Sequence, residues 1–372
     1  HNNSNEIINE PFLFEGATQV SKQNKQARST RIQTINKKKK RTQRIILSIL
    51  IPLFTVILIG AIYIAKLFAT VENEIDASFA EIDRHTPVEK VNPIDEPVSF
   101  LFMGVDNNDD RQLGSTRADS IIYATLNPTT HEMNMVSIPR DTYVPIINKG
   151  TTLRYDRINS AYAVGEESAM VETVEAWLDL PIHYYATFNF AAFLNIIDEL
   201  GGIEMDVPVA INEMNSNDQS GSIQLDEGFQ LLNGEEALAL ARTRKIDNDV
   251  ARGGRQQMII EAIIKKALNF KSISKYTRIA ETVGSNMQTD MRMNDMLAIA
   301  QTGLNDSFSI STHIFEWSSF TERGMDLVRI NSDSLLSIQN ELSDSLNKVE
   351  NSSNTSATNE DELTTIKDTT EN

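Results

Sequence analysis

The chain has no cysteine, which excludes disulfides and thiolate-built metal sites together. Histidine is scarce, five residues scattered over 372, so a Ser-His-Asp hydrolase or a histidine metal centre finds little support. No GxxxxGK(S/T) phosphate loop, GxGxxG turn or HExxH helix is present, and no GxSxG nucleophile elbow. Positive charge is also in short supply, with a formal net charge of −18. The deficit is uneven. Residues 1–44 carry ten lysines and arginines against three glutamates, a net of +7, and Lys66 adds one, leaving −26 from Leu67 onward. So acidic a region cannot neutralise a phosphate backbone, and no nucleic-acid partner is expected.

One long apolar run stands out. Ile45–Ala65 (IILSILIPLFTVILIGAIYIA) holds no charged residue and has the length needed to span a bilayer core as a helix. Lys37-Lys38-Lys39-Lys40-Arg41 precedes it, and Glu72, Glu74 and Asp76 follow. Lysine and arginine stay on the cytoplasmic side. The expectation is a single transmembrane helix over residues 45–67, a cytoplasmic basic arm over 1–44, and everything after it outside the cell membrane. A cleaved signal peptide would have a shorter apolar region ending in small residues, and Leu67-Phe68-Ala69-Thr70-Val71 fits that poorly. An exported chain without cysteine suits a Gram-positive-type envelope.

Residues 68–97 read as a stalk and linker. Val71, Ile75, Phe79 and Ile82 fall at helical spacing, and the proline-containing stretch Pro87–Pro97 ends the pattern. Residues 98–345 form one large domain. Residues 346–372, rich in Ser, Asn, Thr, Asp and Glu, read as a disordered acidic tail. Within the domain, Ser99–Val105, Ser120–Leu126, Met133–Ile138, His183–Phe190, Ile203–Val207 and Ile310–Trp317 are strand candidates. Ala191–Leu200, Gly234–Arg242, Gly254–Phe270 and Arg292–Leu304 are helix candidates. Such alternation predicts an α/β fold with a central sheet covered by helices on both faces.

The chemistry sits in four clusters at predicted element ends: Gly104-Val105-Asp106; Arg117-Ala118-Asp119; Ser137-Ile138-Pro139-Arg140-Asp141; and a dense segment with Arg242, Arg244, Lys245, Asp247, Asp249, Arg252, Arg255, Gln256 and Gln257. Strand ends of α/β sheets are where ligands usually sit. Guanidinium groups grip phosphate oxygens in a bidentate fork, and one or two carboxylates with substrate phosphates are what Mg²⁺ takes. Together these residues describe a Mg²⁺–pyrophosphate site. Plainer readings exist for each. Asp106 could cap a turn, Arg140 and Asp141 could form a surface pair worth under about 1 kcal/mol, and Arg242–Arg255 could be a solvated helix face. Phe190, Phe193, Leu194, Ile196 and Ile197 read as core rather than a lipid pocket.

In order, FMGVD, TRADSII, SIPRDTYV, RINSAYA, ELGGIEMDVP, LLNGEEALALARTRK and DVARGGRQQ resemble the LytR-CpsA-Psr family of envelope proteins, over roughly Val98 to Ala267. The resemblance implies a mixed-sheet domain and a Mg²⁺-dependent phosphotransferase working outside the membrane. Such an enzyme takes a glycopolymer (teichoic acid, capsular or secondary wall polysaccharide) from a polyprenyl-pyrophosphate carrier and joins it to peptidoglycan through a phosphodiester. By the family pattern Asp106 and Asp119 would hold Mg²⁺. Arg117, Arg140, Arg244 and Arg252 would bind pyrophosphate, with Arg242, Arg255 and Gln256 nearby, and Asp249 or Asp119 would act as base. Asn159 has two readings, structural or site-lining. The family often has an arginine two residues after the aspartate at 106; here that position is Asn108 and the nearest arginine is Arg111, whose role is open. Two other functions stay in play: a polyprenyl-pyrophosphate pyrophosphatase, in which water replaces the acceptor, and a non-catalytic envelope-binding or regulatory protein. A short polar arm without a DNA-binding pattern speaks against direct transcriptional control.

Overall fold

A computed structural model describes residues 59, 62–67, 69–73, 76–105, 117–217, 219–243, 249–268, 279, 281 and 286–347. The chain divides into two units, residues 1–66 and 67–372. In the first, residues 59 and 62–66 are helical. The rest of the expected anchor, the basic arm and the acidic tail lie outside the described residues, among which no helix is long and apolar enough to cross a membrane.

The second unit is built on a six-stranded mixed sheet of β1 (Val98–Val105), β2 (Ala118–Asn127), β3 (Glu132–Ser137), β6 (Tyr184–Asn189), β11 (Met287–Thr289) and β12 (Ser309–Ile314), in the order β11-β6-β1-β2-β3-β12. β1 pairs parallel with β6 and antiparallel with β2, while β12 runs parallel to β3. Alternate side chains of a strand leave opposite faces, and here both faces are covered. Leu101, Met103, Ile121 and Tyr123 pack under helices α1 (Ser160–Leu178) and α6 (Ser332–Leu346). Phe100, Ile122, Ala124 and Met135 meet Ile260 and Ile264 of helix α4 (Asp249–Leu268) and Met296 and Ile299 of helix α5 (Met293–Gly303). Burial on both sides explains why β1 and β2 are apolar almost throughout instead of alternating with polar residues. The expected layered α/β architecture is observed.

A third core joins helices α2 (Phe190–Glu199) and α3 (Gly234–Arg242) to the two-stranded pair of β7 (Ile203–Val207) with β10 (Gly228–Leu232) and to Ile259 of α4. Helix α3 begins in a full capping box: Asn233 accepts from the Glu236 amide at 3.0 Å, and the Glu236 carboxylate accepts from the Asn233 amide at 2.9 Å. This pattern fixes the helix start. Three further hairpins complete the unit: β4 (Tyr143–Asn148) with β5 (Thr151–Arg157), β8 (Ile211–Glu213) with β9 (Ile223–Leu225), and β13 (Trp317–Glu322) with β14 (Met325–Ile330).

Three expectations need correction. Ile310–Trp317 is not one strand, because Phe315 turns inward, is 2% exposed and meets Trp177 edge-on at 5.6 Å. Helix α1 was not anticipated; it is kinked at Gly165 and Glu166 and buries residues all round, so it shows no clean apolar stripe. The stalk is not helical through Ile82. Phe79 makes a β-bridge with Thr289, the Ala80 amide donates to the Thr289 carbonyl at 2.8 Å, and the Arg292 guanidinium lies 4.0 Å from the Phe79 ring. Arg84 then donates to the Ile182 carbonyl at 2.6 Å and pairs with Glu175 and Asp290, each at 3.4 Å. Tertiary contacts to the sheet edge outweigh the weak helical preference of so short a segment.

Candidate active site at the sheet end

The carboxyl ends of β1, β3, β6 and β12 and the amino end of β2 meet at one end of the sheet, as the pairings Val105 with Ala118, Val105 with Asn189, and Ser137 with Ile122 and Ile314 require. The ladder shifts register between Gly104 and Val105, a bulge at the point where the chain leaves toward residue 106. Arg117 stands exposed just before β2. Two positions later Asp119, with its side chain 40% exposed, forms an ion pair with Arg140.

Arg140 comes from the loop after β3, and that loop is tightly held. The Pro139 carbonyl accepts from the Thr142 amide at 3.0 Å and from its hydroxyl at 2.6 Å, while the Arg140 carbonyl accepts from the Asn159 amide at 3.2 Å. Asp141 lies between Arg140 (3.5 Å) and Arg157 (3.4 Å). The Arg140 and Asp141 side chains are 18% and 17% exposed, so the plain surface-pair reading fails. Charges held this far from water interact more strongly than exposed ones, and desolvation makes an unpaired member costly. Asn159 is buried at the start of α1 and does not line the cavity described next, which favours its structural reading.

Beside these residues lies a cavity of about 470 Å³. Its body is apolar, walled by Phe188, Phe190, Phe193 and Ile196 on one side and by Ile259, Ile260, Ile263 and Ile264 of α4 on the other. Its polar lining comprises Asp119, Ser120, Asn189, Arg242, Arg252 and Gln256. Gln256 accepts from the Ser120 hydroxyl at 3.0 Å and donates to the Ala241 carbonyl at 3.4 Å. The Arg242 guanidinium lies over the Phe190 ring at 4.9 Å, and Arg252 is only 5% exposed. Such burial rules out a solvated helix face at Arg252. Gly253 permits it: a Cβ there would come within 2.9 Å of the Ser137 Oγ and 3.2 Å of its Cβ, so only glycine lets α4 seat this closely on β3.

The structure brings Asp119, Arg140, Arg242, Arg252 and Gln256 to this end of the sheet. It assigns Arg255 elsewhere. That residue is 2% exposed, donates to the Leu240 carbonyl at 3.1 Å and the Thr243 carbonyl at 2.8 Å, and thus caps the carboxyl end of α3 instead of lining the cavity. Phe190, Phe193 and Ile196 are also reassigned, from core to cavity wall, whereas Ile197 is fully buried core. Asp106, Asn108, Arg111 and Arg244 fall outside the described residues, as does the side chain of Asp249 at the start of α4. Two polar lining residues were not anticipated. Ser120 was hidden as one small polar residue at the start of a mostly apolar strand. Asn189 carried a signal, since it caps α2 by accepting from the Ala192 amide at 2.9 Å, and it also donates to Asn286 at 2.8 Å. Among the described residues, no group of three or more acidic or histidine side chains could hold a metal, and Asp119 is the one carboxylate lining the cavity. An apolar chamber with two guanidinium groups in its lining fits an amphiphile with an anionic head.

The LytR_cpsA_psr family model matches residues 66–344. The chain belongs to the LytR-CpsA-Psr family. It is 37% identical over 267 residues to an uncharacterized protein of Staphylococcus aureus, an alignment covering 69% of this chain and 64% of that relative. It is 33% identical to the polyisoprenyl-teichoic acid–peptidoglycan teichoic acid transferase TagU of Bacillus subtilis over 84% of this chain and 99% of TagU. Among solved structures, TagT bound to LIIa-WTA matches with a TM-score of 0.61 at 28% identity, covering 72% of this chain and 98% of that one. TagT with bound octaprenyl pyrophosphate lipid matches at 0.56 with 27% identity, covering 70% and 94%. Family members thus share the mixed-sheet fold seen here, and one of them holds a prenyl pyrophosphate.

Proposed function

We propose that the chain is a membrane-anchored phosphotransferase. It moves a glycopolymer of the teichoic-acid class from a polyprenyl-pyrophosphate carrier to a hydroxyl of peptidoglycan. The observation that carries this reading is one cavity that combines an apolar body with the side chains of Arg242 and Arg252 in its lining; a prenyl chain and a pyrophosphate need those two environments side by side. The names of TagU and of the lipid-bound TagT structure support the donor and acceptor classes.

In the reaction an acceptor hydroxyl oxygen attacks the glycan-linked phosphorus. A new P–O bond forms, the P–O–P bridge breaks, and polyprenyl phosphate leaves with the bridging oxygen. The hydroxyl proton passes to a carboxylate, Asp119 or Asp249. Arg252 and Arg242 bind the pyrophosphate from the cavity wall, Arg140 takes part of the charge on the leaving phosphate, and Arg117 and Arg244 complete the cation set. In phosphoryl transfer such positioning and charge stabilisation supply most of the catalysis. Gln256, held by Ser120, orients a phosphate oxygen. The apolar walls bind the prenyl chain and exclude water. A single lining carboxylate plus phosphate oxygens suits Mg²⁺, so Asp119 with Asp106 would hold the ion, which would offset phosphate charge. The anchor at residues 45–67 places the domain outside the cell membrane, where an already activated donor makes ATP unnecessary.

The test uses the chain from about Val71 onward with Mg²⁺, a polyprenyl-pyrophosphate-linked glycan and a peptidoglycan oligomer, with products read by mass spectrometry. Sugar phosphate joined to peptidoglycan, absent with Arg140→Ala, is expected. Free sugar phosphate alone would replace transfer by hydrolysis, and unchanged transfer in Arg140→Ala would dismiss the site.

A further inference from the structure

Four charged side chains alternate in sign from the cavity into the fold: Asp119, Arg140, Asp141 and Arg157. Asp119 lines the cavity and pairs with the Nη1 of Arg140. One Asp141 carboxylate oxygen faces the Nε of Arg140 at 3.5 Å, and the other faces the Nε of Arg157 at 3.4 Å. Arg157, its side chain 26% exposed, then donates through Nη2 to the Asp326 carbonyl at 3.0 Å. Local structure delivers it there. In the β4–β5 ladder Arg157 stands opposite Tyr143. Beyond the strand end, the Ile158 amide donates to the Thr142 carbonyl at 2.8 Å and the Asn159 amide to the Arg140 carbonyl at 3.2 Å. From β14 the Val328 amide donates to the Asp141 carbonyl at 2.9 Å. The Arg140–Asp141 backbone is therefore pinned by main-chain bonds from two sides, and the row of charges is not needed to shape the loop.

What the row does is set orientation and charge beside the cavity. Asp119 engages one nitrogen of the Arg140 guanidinium and Asp141 faces another, so two carboxylates fix its orientation. Both Asp141 pairs are longer than charge-assisted hydrogen bonds, so charge is what couples them. Away from bulk water such charges act over several ångströms. Two carboxylates and two guanidiniums leave the row neutral. Without Arg157 it would carry −1, and Asp141 would oppose a polyanion drawn to Arg140.

We infer that Asp141 and Arg157 are positioning residues for transfer: Asp141 aims the Arg140 guanidinium, and Arg157 offsets the Asp141 charge so that Arg140 keeps its attraction for pyrophosphate. This role rests on the proposed transfer reaction. The test titrates farnesyl pyrophosphate and farnesyl monophosphate by calorimetry into the full chain in nanodiscs. Wild type is compared with Arg157→Gln, Arg157→Lys, Asp141→Asn and the double variant Asp141→Asn/Arg157→Gln. Arg157→Gln should weaken pyrophosphate binding about five- to thirtyfold and monophosphate binding less. Arg157→Lys keeps the charge and should stay within about threefold of wild type. The double variant is neutral again and should return to within about threefold, a recovery that a packing role for Arg157 would not give. Asp141→Asn should bind pyrophosphate at least as tightly as wild type yet lower kcat for transfer about 10- to 100-fold, since Arg140 is no longer aimed. Undiminished binding in Arg157→Gln, no recovery in the double variant, or an unchanged kcat in Asp141→Asn overturns the inference. Circular-dichroism melts check folding; where Arg157→Gln does not fold, weaker pyrophosphate binding by folded Asp141→Asn overturns it equally. Wild type that binds the pyrophosphate but transfers nothing would remove the transferase reading alone, with the charge role still decided by the titrations. Wild type that does not bind it would remove both.

Discussion

Gly253→Ala is the sharpest test of how helix α4 delivers its arginines. In an ordinary helix interior the change gains up to about 1 kcal/mol, because alanine loses less backbone entropy. Here the new methyl would lie 2.9 Å from the Ser137 Oγ and 3.2 Å from its Cβ. Rotation of the hydroxyl relieves the first contact but not the second, so the helix or strand must shift. Overpacking of this kind costs about 1–3 kcal/mol. The net expectation is a loss of about 0.5–2 kcal/mol, or roughly 2–6 °C in Tm for a domain of this size. Ser137→Gly removes both contacting atoms, at about 0.5–1 kcal/mol for a glycine in a strand. Circular-dichroism melts of the four combinations should therefore show coupling, with Gly253→Ala costing stability alone but not beside Ser137→Gly. Transfer should follow the same cycle, because Arg252 and Gln256 flank Gly253 on the cavity wall. A Tm raised by Gly253→Ala alone, or additive effects, would refute the close seating of α4 on β3.

Three further outcomes are expected. Phe193→Asp puts a charge into the apolar wall and should raise the KM for a long-chain polyprenyl donor more than tenfold, while a short-chain donor is affected less; equal effects would remove the wall from prenyl binding. Chelation with EDTA should abolish transfer and added Mg²⁺ restore it, and undiminished turnover in EDTA would exclude the ion. The third concerns His183, whose Nδ1 accepts from the Ser99 amide at 3.0 Å and whose pKa burial lowers to about 4. A depressed folded pKa contributes stability that is complete above the unfolded value of about 6.5 and is lost as pH falls toward 4. Relative to His183→Asn, wild type should therefore lose about 1–2 kcal/mol between roughly pH 7.5 and 5 in urea titrations; parallel curves would show that His183 does not titrate in this window. The paired comparison cancels Asp290, whose burial raises its carboxyl to about 6 and whose contribution has the opposite sign.

Elements with one strong local signal were legible in the sequence. β7 alternates buried and exposed residues without a break, and α3 starts at its capping box, so both were placed to the residue. Helix α1 was not, because Ala161, Ala169, Met170, Val171, Thr173 and Val174 are all buried, and burial all round erases periodicity. The β4–β5 hairpin escaped because residues 151–155 are all exposed and show no alternation. The site was legible as chemistry but not as geometry. Arginines and aspartates at strand ends pointed to phosphate, yet nothing local separates Arg252 in the cavity wall from Arg255 under α3. Phe193 on the cavity wall and Ile197 in the core share one helix and one apolar character. Only the packing of α2 across from α4 divides a chamber from a core.

The docked linker sets a leash. Phe79 and Arg84 are fastened to the domain through Thr289, Ile182, Glu175 and Asp290, so the stretch from the proposed anchor to its first fastening point is shorter than the stretch to the first strand. If the proposed anchor ends near Ala65, thirteen residues, 66–78, separate it from the fastening point. Fully extended they reach no more than about 45 Å, and their helical turns, described at residues 69–73 and 76–78, shorten this further. The enzyme would then patrol only a thin layer above the lipid, and new polymer would be stitched to the innermost wall strands before older ones.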